Sequence, residues 1–258
     1  MTRISGHQKT QYEKDDRYMA EIMADMLLER YSRILKTIKH RGNIKILEIG
    51  GGGGSFSLAL RRYFPEAGCE IFLVDSTRYD TWEDFGGKIT FIEESAENME
   101  KIFAENTFDL IFANRVFHHF VARKTWKNTI SDITNITNII YKILKNDGFF
   151  CVTDHFYNGM LFDTSASRII YALTSCRVPL FVKIFRKIDA MSAGVGVCFL
   201  SRKIWMDMFD KCGFTVDECT GGQALPRNFF KTLIYKILLF VKDNRLDVTM
   251  ILKKKNNK

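Results

Sequence analysis

The chain has 258 residues, of which 46% are hydrophobic and 26% charged, and its formal net charge is +8. These are the proportions of an ordinary globular protein long enough to bury a substantial core, and they exclude disordered, collagen-like and disulfide-scaffold classes. No uninterrupted apolar run approaches the roughly 18 residues of a membrane span. The N-terminal residues are polar, with no apolar core of secretory type, and the six cysteines form no CxxC pair, so reduced thiols and a cytoplasmic location are expected.

In chain order, residues 9–40 carry Tyr18, Ile22, Met26, Leu27 and Tyr31 at helical spacing. A helix that only packs on a core and a lid over a ligand fit this pattern equally; Tyr12 is the residue a lid would bring to the ligand. The run Ile46-Leu47-Glu48-Ile49 then ends in five glycines, Gly50 to Gly54, and a helical pattern from Phe56 to Phe64 follows. A strand that feeds a glycine turn opening a helix is a nucleotide-type ligand site in open α/β sheets. The dinucleotide fingerprint needs a sixth-position glycine or alanine, yet registers begun at Gly50, Gly51 or Gly52 place Ser55, Phe56 or Ser57 there. A phosphate-cradling loop would close on a lysine, and none follows before Lys88. What remains is Glu48-x-Gly50-x-Gly52-x-Gly54.

A second strand, Glu70 to Asp75, ends in a carboxylate at the spacing where an acid accepts ribose hydroxyls, about twenty residues on. A third, Ile89 to Ile92, leads into Glu93-Glu94-Ser95-Ala96. The fourth, Phe108 to Asn114, continues into Arg115-Val116-Phe117-His118-His119, and the fifth, Gly148 to Thr153, exits at Asp154-His155. A helix from Trp205 stops at Gly213, and strands at 215–219 and 247–252 complete the series.

The glycine pattern together with this strand order resembles class I S-adenosylmethionine-dependent methyltransferases. The resemblance implies an α/β fold: a doubly wound, Rossmann-like seven-stranded methyltransferase sheet with a helical N-terminal lid and cap insertions. Its expected division is a lid at 1–42, a cofactor-binding core at 43–158, a cap insertion at 159–199, and a C-terminal part of the core at 200–258 with a helical insertion at about 224–243. It further implies S-adenosyl-L-methionine as cofactor, contacted by Glu48, Gly50, Gly51, Gly52, Gly54, Asp75, Ser76, Glu94, Ser95, Ala96, Asn114 and Arg115. Family members often place an aspartate just before the alanine; here Ser95 stands there, so Ser95, Glu94 or backbone groups take the adenine contact.

A sulfonium methyl is already activated, so alignment and water exclusion are the main tasks, and a base is needed only for a nucleophile that keeps its proton. The candidate bases are His119 and His155, then His118, because they follow strands four and five; no metal-ligand spacing accompanies them. The net charge invites a nucleic-acid partner, but part of it is the Lys253-Lys254-Lys255 tail. Asn114-Arg115-Val116-Phe117 replaces the Asn/Asp-Pro-Pro-aromatic run of base-amine methylation. The expected reaction is therefore methyl transfer to an oxygen or nitrogen of a small, partly apolar acceptor in a biosynthetic pathway. Two apolar-basic stretches, 160–199 and 229–242, pack on one another, line a greasy pocket, pair two copies into a homodimer, or meet anionic lipid headgroups. Two alternatives stay open: a membrane-docking lipid or quinone methyltransferase, and a cofactor-binding partner subunit without transfer activity.

Overall fold

The computed structural model describes residues 17–65, 68–85, 87, 89–120, 125–160, 162–179, 182–183, 194, 196–224, 236 and 240–255. Seven strands form one sheet in the order β3-β2-β1-β4-β5-β7-β6. They are β1 (Ile44–Ile49), β2 (Cys69–Asp75), β3 (Thr90–Glu93), β4 (Phe108–Asn114), β5 (Leu144–Gly159), β6 (Phe214–Ala224) and β7 (Val241–Lys254). The chain divides into two compact units, one of residues 2–114, 138–151 and 251–258, the other of residues 115–137 and 152–250.

In the first unit, β1 runs parallel to both β2 and β4, and β2 runs parallel to β3. A parallel strand covered on both faces needs mostly apolar side chains on both, which is why β1 and β4 are buried almost throughout rather than at alternate residues, with Lys45, Glu48 and Asp109 as their polar interruptions. The covering helices are α1 (Arg17–Arg30), α2 (Ser32–Lys39) and α3 (Ser55–Tyr63), followed by the single turn α4 (Met99–Ile102). In α2, Ile34, Leu35 and Ile38 make one buried stripe at helical spacing. Between α1 and α2, the fully buried Tyr31 packs on Phe112 of β4 and Phe56 of α3, with ring centroids 4.9 and 6.1 Å away.

The second unit holds most of α5 (Trp126–Ile143), with α6 (Asp163–Ser175) and α7 (Arg202–Lys211). Tyr157, Ala166, Ile170, Val197, Phe199 and Val241 form its own apolar cluster. The N-terminus of α7 is capped by Ser201, whose hydroxyl accepts the Ile204 N–H at 3.2 Å, and Gly213 follows the helix at φ 87, the left-handed stop expected of it.

Several strands are longer than their sequence patterns suggest. β7 starts at Val241, ahead of the expected Asp247, and β6 runs on to Ala224 through Gly221 and Gly222. Asp247 (φ 53), Gly221 (φ 79) and Gly222 (φ 88) take left-handed conformations within these strands. Such interruptions break the alternation of faces that makes a strand legible, so each reads as a strand end. The helix expected at about 224–243 meets β6 at its start and β7 at its end; residues 225–235 and 237–239 lie outside the described residues, as do Tyr12 and residues 184–193 of the cap stretch. No helix among the described residues is long and apolar enough to cross a membrane.

Candidate functional site

The glycine turn leaves β1 with Gly50, Gly52 and Gly54 at φ 67, 54 and 82, conformations that L side chains disfavour. The Gly50 N–H donates to the Val74 carbonyl (2.7 Å), and the Gly54 N–H to that of Gly51 (2.9 Å). Gly51 has an ordinary φ, but a Cβ on it would lie 2.7 Å from both Glu48 Cδ and Leu73 Cδ1. Conformation and crowding thus account for four of the five glycines, all of them residues assigned to the cofactor; at Gly53 a Cβ would meet only Thr81 Oγ1, at 3.3 Å.

Polar contacts hold the turn in place. Asp75 Oδ2 accepts the Gly52 N–H at 3.0 Å, and its Oδ1 accepts the Thr77 N–H at 3.0 Å. The carbonyl of Gly52 accepts Trp82 Nε1–H at 2.7 Å, and that of Gly53 accepts the Thr81 hydroxyl at 3.1 Å. Trp82 is itself fixed by stacking on Phe91, with centroids 4.7 Å apart. Sequence reasoning missed this short 3-10 segment, Asp80–Phe85, because a lone tryptophan after a strand has no periodic signature. Burial pushes the Asp75 carboxyl above its ordinary range, against the lowering effect of the N–H groups of Gly52, Thr77 and Ser76.

Glu48 is buried, and its Oε2 accepts the Ser57 hydroxyl at 2.5 Å. Burial raises its carboxyl to about 7, with the Ser57 hydrogen bonds opposing and the Asp75 charge adding to the rise. At the next strand the Glu94 N–H donates to the Asp75 carbonyl (2.9 Å), which ties the ends of β2 and β3 together. Glu94 Oε1 accepts from Asn98 Nδ2 (2.9 Å) and the Ser95 N–H (2.7 Å), and these bonds lower its carboxyl. Ala96 is buried at the start of the following 3-10 turn. On the other flank, the pairing of Ile49 with Ala113 sets Asn114 beside the start of the glycine turn. Its Oδ1 accepts the Tyr31 hydroxyl at 2.8 Å, while its buried Nδ2 has no hydrogen-bond partner among the described residues.

The second unit gathers the histidines. Asp154, fully buried, accepts from His118 Nδ1 at 2.7 Å and from the His118 N–H at 3.2 Å. Burial alone would raise the Asp154 carboxyl, but the charge and hydrogen bond of His118, with His155, outweigh it and hold it below its ordinary range. His118 is stacked on Phe199 (4.9 Å) and touches His119 and His155, at centroid distances of 4.0 and 5.4 Å. The hydrogen bonds set different tautomers. With Nδ1–H donating to Asp154, Nε2 is the ring nitrogen of His118 left to carry a lone pair in the neutral form. His155 Nδ1 instead accepts the Asp247 N–H (3.3 Å), so in the neutral ring the proton sits on Nε2, a donor. Burial pushes the His155 imidazole down. Surrounding protein and then the neighbouring His118 push His119 down as well, although much of its side chain is exposed to water.

Arg115, expected at the cofactor, is engaged within its own unit: its Nε and Nη2 donate to the two Asp247 oxygens, each at 2.6 Å. Both partners have left-handed backbones, φ 52 and 53. Among the described residues no group of three or more His, Cys, Asp or Glu side chains is placed to hold a metal ion.

A strand, a tight glycine turn with an acid beside it, and the sheet order β3-β2-β1-β4-β5-β7-β6 make a Rossmann-like sheet with a candidate nucleoside-cofactor site at the turn. Residues 47–152, less than half of the chain, match the methyltransferase domain family. Over 130 residues the chain is 27% identical to the uncharacterized methyltransferase YcgJ of Bacillus subtilis (strain 168), a match covering 48% of this chain and 45% of that protein. The chain therefore matches somewhat less than half the length of this curated relative in sequence. The crystal structure of the Bacillus YcgJ protein superposes with a TM-score of 0.54 at 18% identity, over 87% of this chain and 98% of that one. The 1,6-didemethyltoxoflavin-N1-methyltransferase of Burkholderia thailandensis, solved with 1,6-didemethyltoxoflavin and S-adenosylhomocysteine, superposes with a TM-score of 0.53 at 14% identity, over 97% of this chain and 84% of that one.

Proposed function

We propose that the protein transfers a methyl group from S-adenosylmethionine to an oxygen or nitrogen of a small, partly apolar acceptor, as a cytoplasmic enzyme of a biosynthetic pathway. The observation that carries this reading is the glycine turn in which a Cβ at Gly51 would strike Glu48 and Leu73, with Asp75 bonded to Gly52. Such a turn admits a ligand against bare backbone and sets an acid beside it. The cofactor supplies a methyl group already activated by its sulfonium. Asp75 accepts backbone N–H groups at both oxygens and keeps further lone pairs for ribose hydroxyls. Ser76, Glu94, Ser95 and Ala96, at the ends of β2 and β3, lie on the adenine side, and Asn114 on the methionine side. In this reading residues 1–42 serve as the lid and 159–199 as the cap insertion.

Where the acceptor keeps its proton, His118 is the base best prepared to take it, because Asp154 holds its Nδ1 proton and stabilises the imidazolium that forms. His155 suits a donor's role and the exposed His119 a lesser one. The ligand named for the Burkholderia neighbour is a small molecule, which supports an acceptor of that size. Calorimetry with S-adenosylmethionine and S-adenosylhomocysteine, followed by transfer from methyl-labelled cofactor to a panel of small phenols, amines and N-heterocycles, tests the reading. Cofactor binding with label on one such class is expected; no binding of either cofactor form at millimolar concentration would end it.

One set of residues favours a membrane-docking variant of the same chemistry. Met160, Phe162 and Val178 of the apolar-basic stretch 160–199 are 49%, 71% and 58% exposed, and Phe240 of the stretch 229–242 is 41% exposed. Flotation with anionic vesicles at low and high salt decides this: protein that never floats removes the lipid or quinone variant.

A further inference from the structure

Asn114 stands at the end of β4 with an unequal amide. Its Oδ1 is taken by the Tyr31 hydroxyl at 2.8 Å, and its Nδ2 is buried without a partner among the described residues. A buried donor without an acceptor carries the full cost of its lost hydration. A ligand that accepts from it would remove that cost. In the orientation observed, the Tyr31 hydroxyl donates to Oδ1 and the N–H2 end is left over. A flipped amide would instead donate from Nδ2 to the phenol oxygen and leave its carbonyl oxygen over. Tyr31 cannot easily yield, because its ring is fully buried between Phe56 and Phe112.

Strand order says which part of the cofactor lies there. Asp75 ends β2 and Asn114 ends β4, on opposite flanks of the β1 glycine turn. Neighbouring strands lie about 4.8 Å apart, so the two side chains stand roughly two strand spacings from one another. If Asp75 takes the ribose and the ends of β2 and β3 the adenine, the remaining amino-acid tail runs toward β4. A pure donor there selects the carboxylate of that tail, not its ammonium.

We propose that Tyr31 is a positioning residue of the cofactor site, whose hydroxyl fixes the Asn114 amide so that its N–H2 is offered to the carboxylate of S-adenosylmethionine. This rests on the reading of Asn114 as a cofactor contact. The test is calorimetric: wild type, Tyr31→Phe and Asn114→Ala, each titrated with S-adenosylhomocysteine and with its decarboxylated analogue, which lacks only that carboxylate. Tyr31→Phe keeps the ring packing and should weaken S-adenosylhomocysteine binding about fivefold while leaving the analogue unchanged; Asn114→Ala should cost about tenfold or more in the same selective way. A looser fold would weaken both ligands alike, so equal losses in Tyr31→Phe overturn the proposal, as does no loss at all. Unchanged S-adenosylhomocysteine binding in Asn114→Ala would instead remove Asn114 from the site, and the role of Tyr31 with it.

Discussion

Single side chains here carry burdens that their residue type does not reveal. His118 and His119 are neighbours in sequence, yet one is buried on a buried carboxylate and the other is largely exposed. Removing His118 strands the Asp154 charge, so His118→Ala should lose about 3–5 kcal/mol of stability in urea denaturation, whereas His119→Ala should stay within about 0.5 kcal/mol. Glu48 is a second case. Its folded carboxyl titrates at about 7 against an ordinary 4.5, so the folded state holds a proton that the unfolded chain releases. The stabilisation this gives is complete below the ordinary value and is lost as pH rises through the folded one, a change of about 3 kcal/mol. Glu48→Gln stays neutral throughout. The stability of wild type relative to this variant should therefore fall between about pH 4.5 and about pH 7, as read from urea midpoints across that range. A flat difference would show that Glu48 ionises normally in the fold.

At the scale of elements, the glycine turn and the 3-10 segment after β2 work as one piece. A methyl at Gly51 meets the buried side chains of Glu48 and Leu73, so Gly51→Ala should destabilise by about 1–3 kcal/mol and depress cofactor binding, while Gly53→Ala should do much less. Trp82→Phe removes the indole bond to the Gly52 carbonyl and should cost about 1 kcal/mol in thermal or chemical unfolding. Asp75→Ala should weaken S-adenosylhomocysteine by about 1–3 kcal/mol in calorimetry. The turn was legible in the sequence because five glycines between an apolar run and a helical pattern suit little besides a close backbone approach to a ligand. The clamp was not, since the contacts of Trp82 and Thr81 with it depend on how the chain returns after β2. The same holds for Arg115: its place after β4 suggested a cofactor contact, but its partner Asp247 is 132 residues away.

For the molecule as a whole, saturating S-adenosylhomocysteine at a hundred times its dissociation constant should raise stability by about 2.7 kcal/mol. A thermal shift in wild type that shrinks in Asp75→Ala at the same ligand concentration would tie that gain to the glycine turn. Local order in the sequence was sufficient for the α/β class, for the parallel strands β1 to β4, and for the cofactor, because these depend on unbroken apolar runs and on a turn only glycine can make. β6 and β7 were only partly legible, because left-handed residues at Asp247, Gly221 and Gly222 interrupt their alternation. Tertiary structure alone decided which ring nitrogen of His118 and His155 is engaged, which end of the Asn114 amide is left without a partner among the described residues, and that Glu48 sits where charge is costly. The physical reason is common to all three: tautomer, amide orientation and ionisation are set by partners distant in sequence, and by burial that no local pattern records.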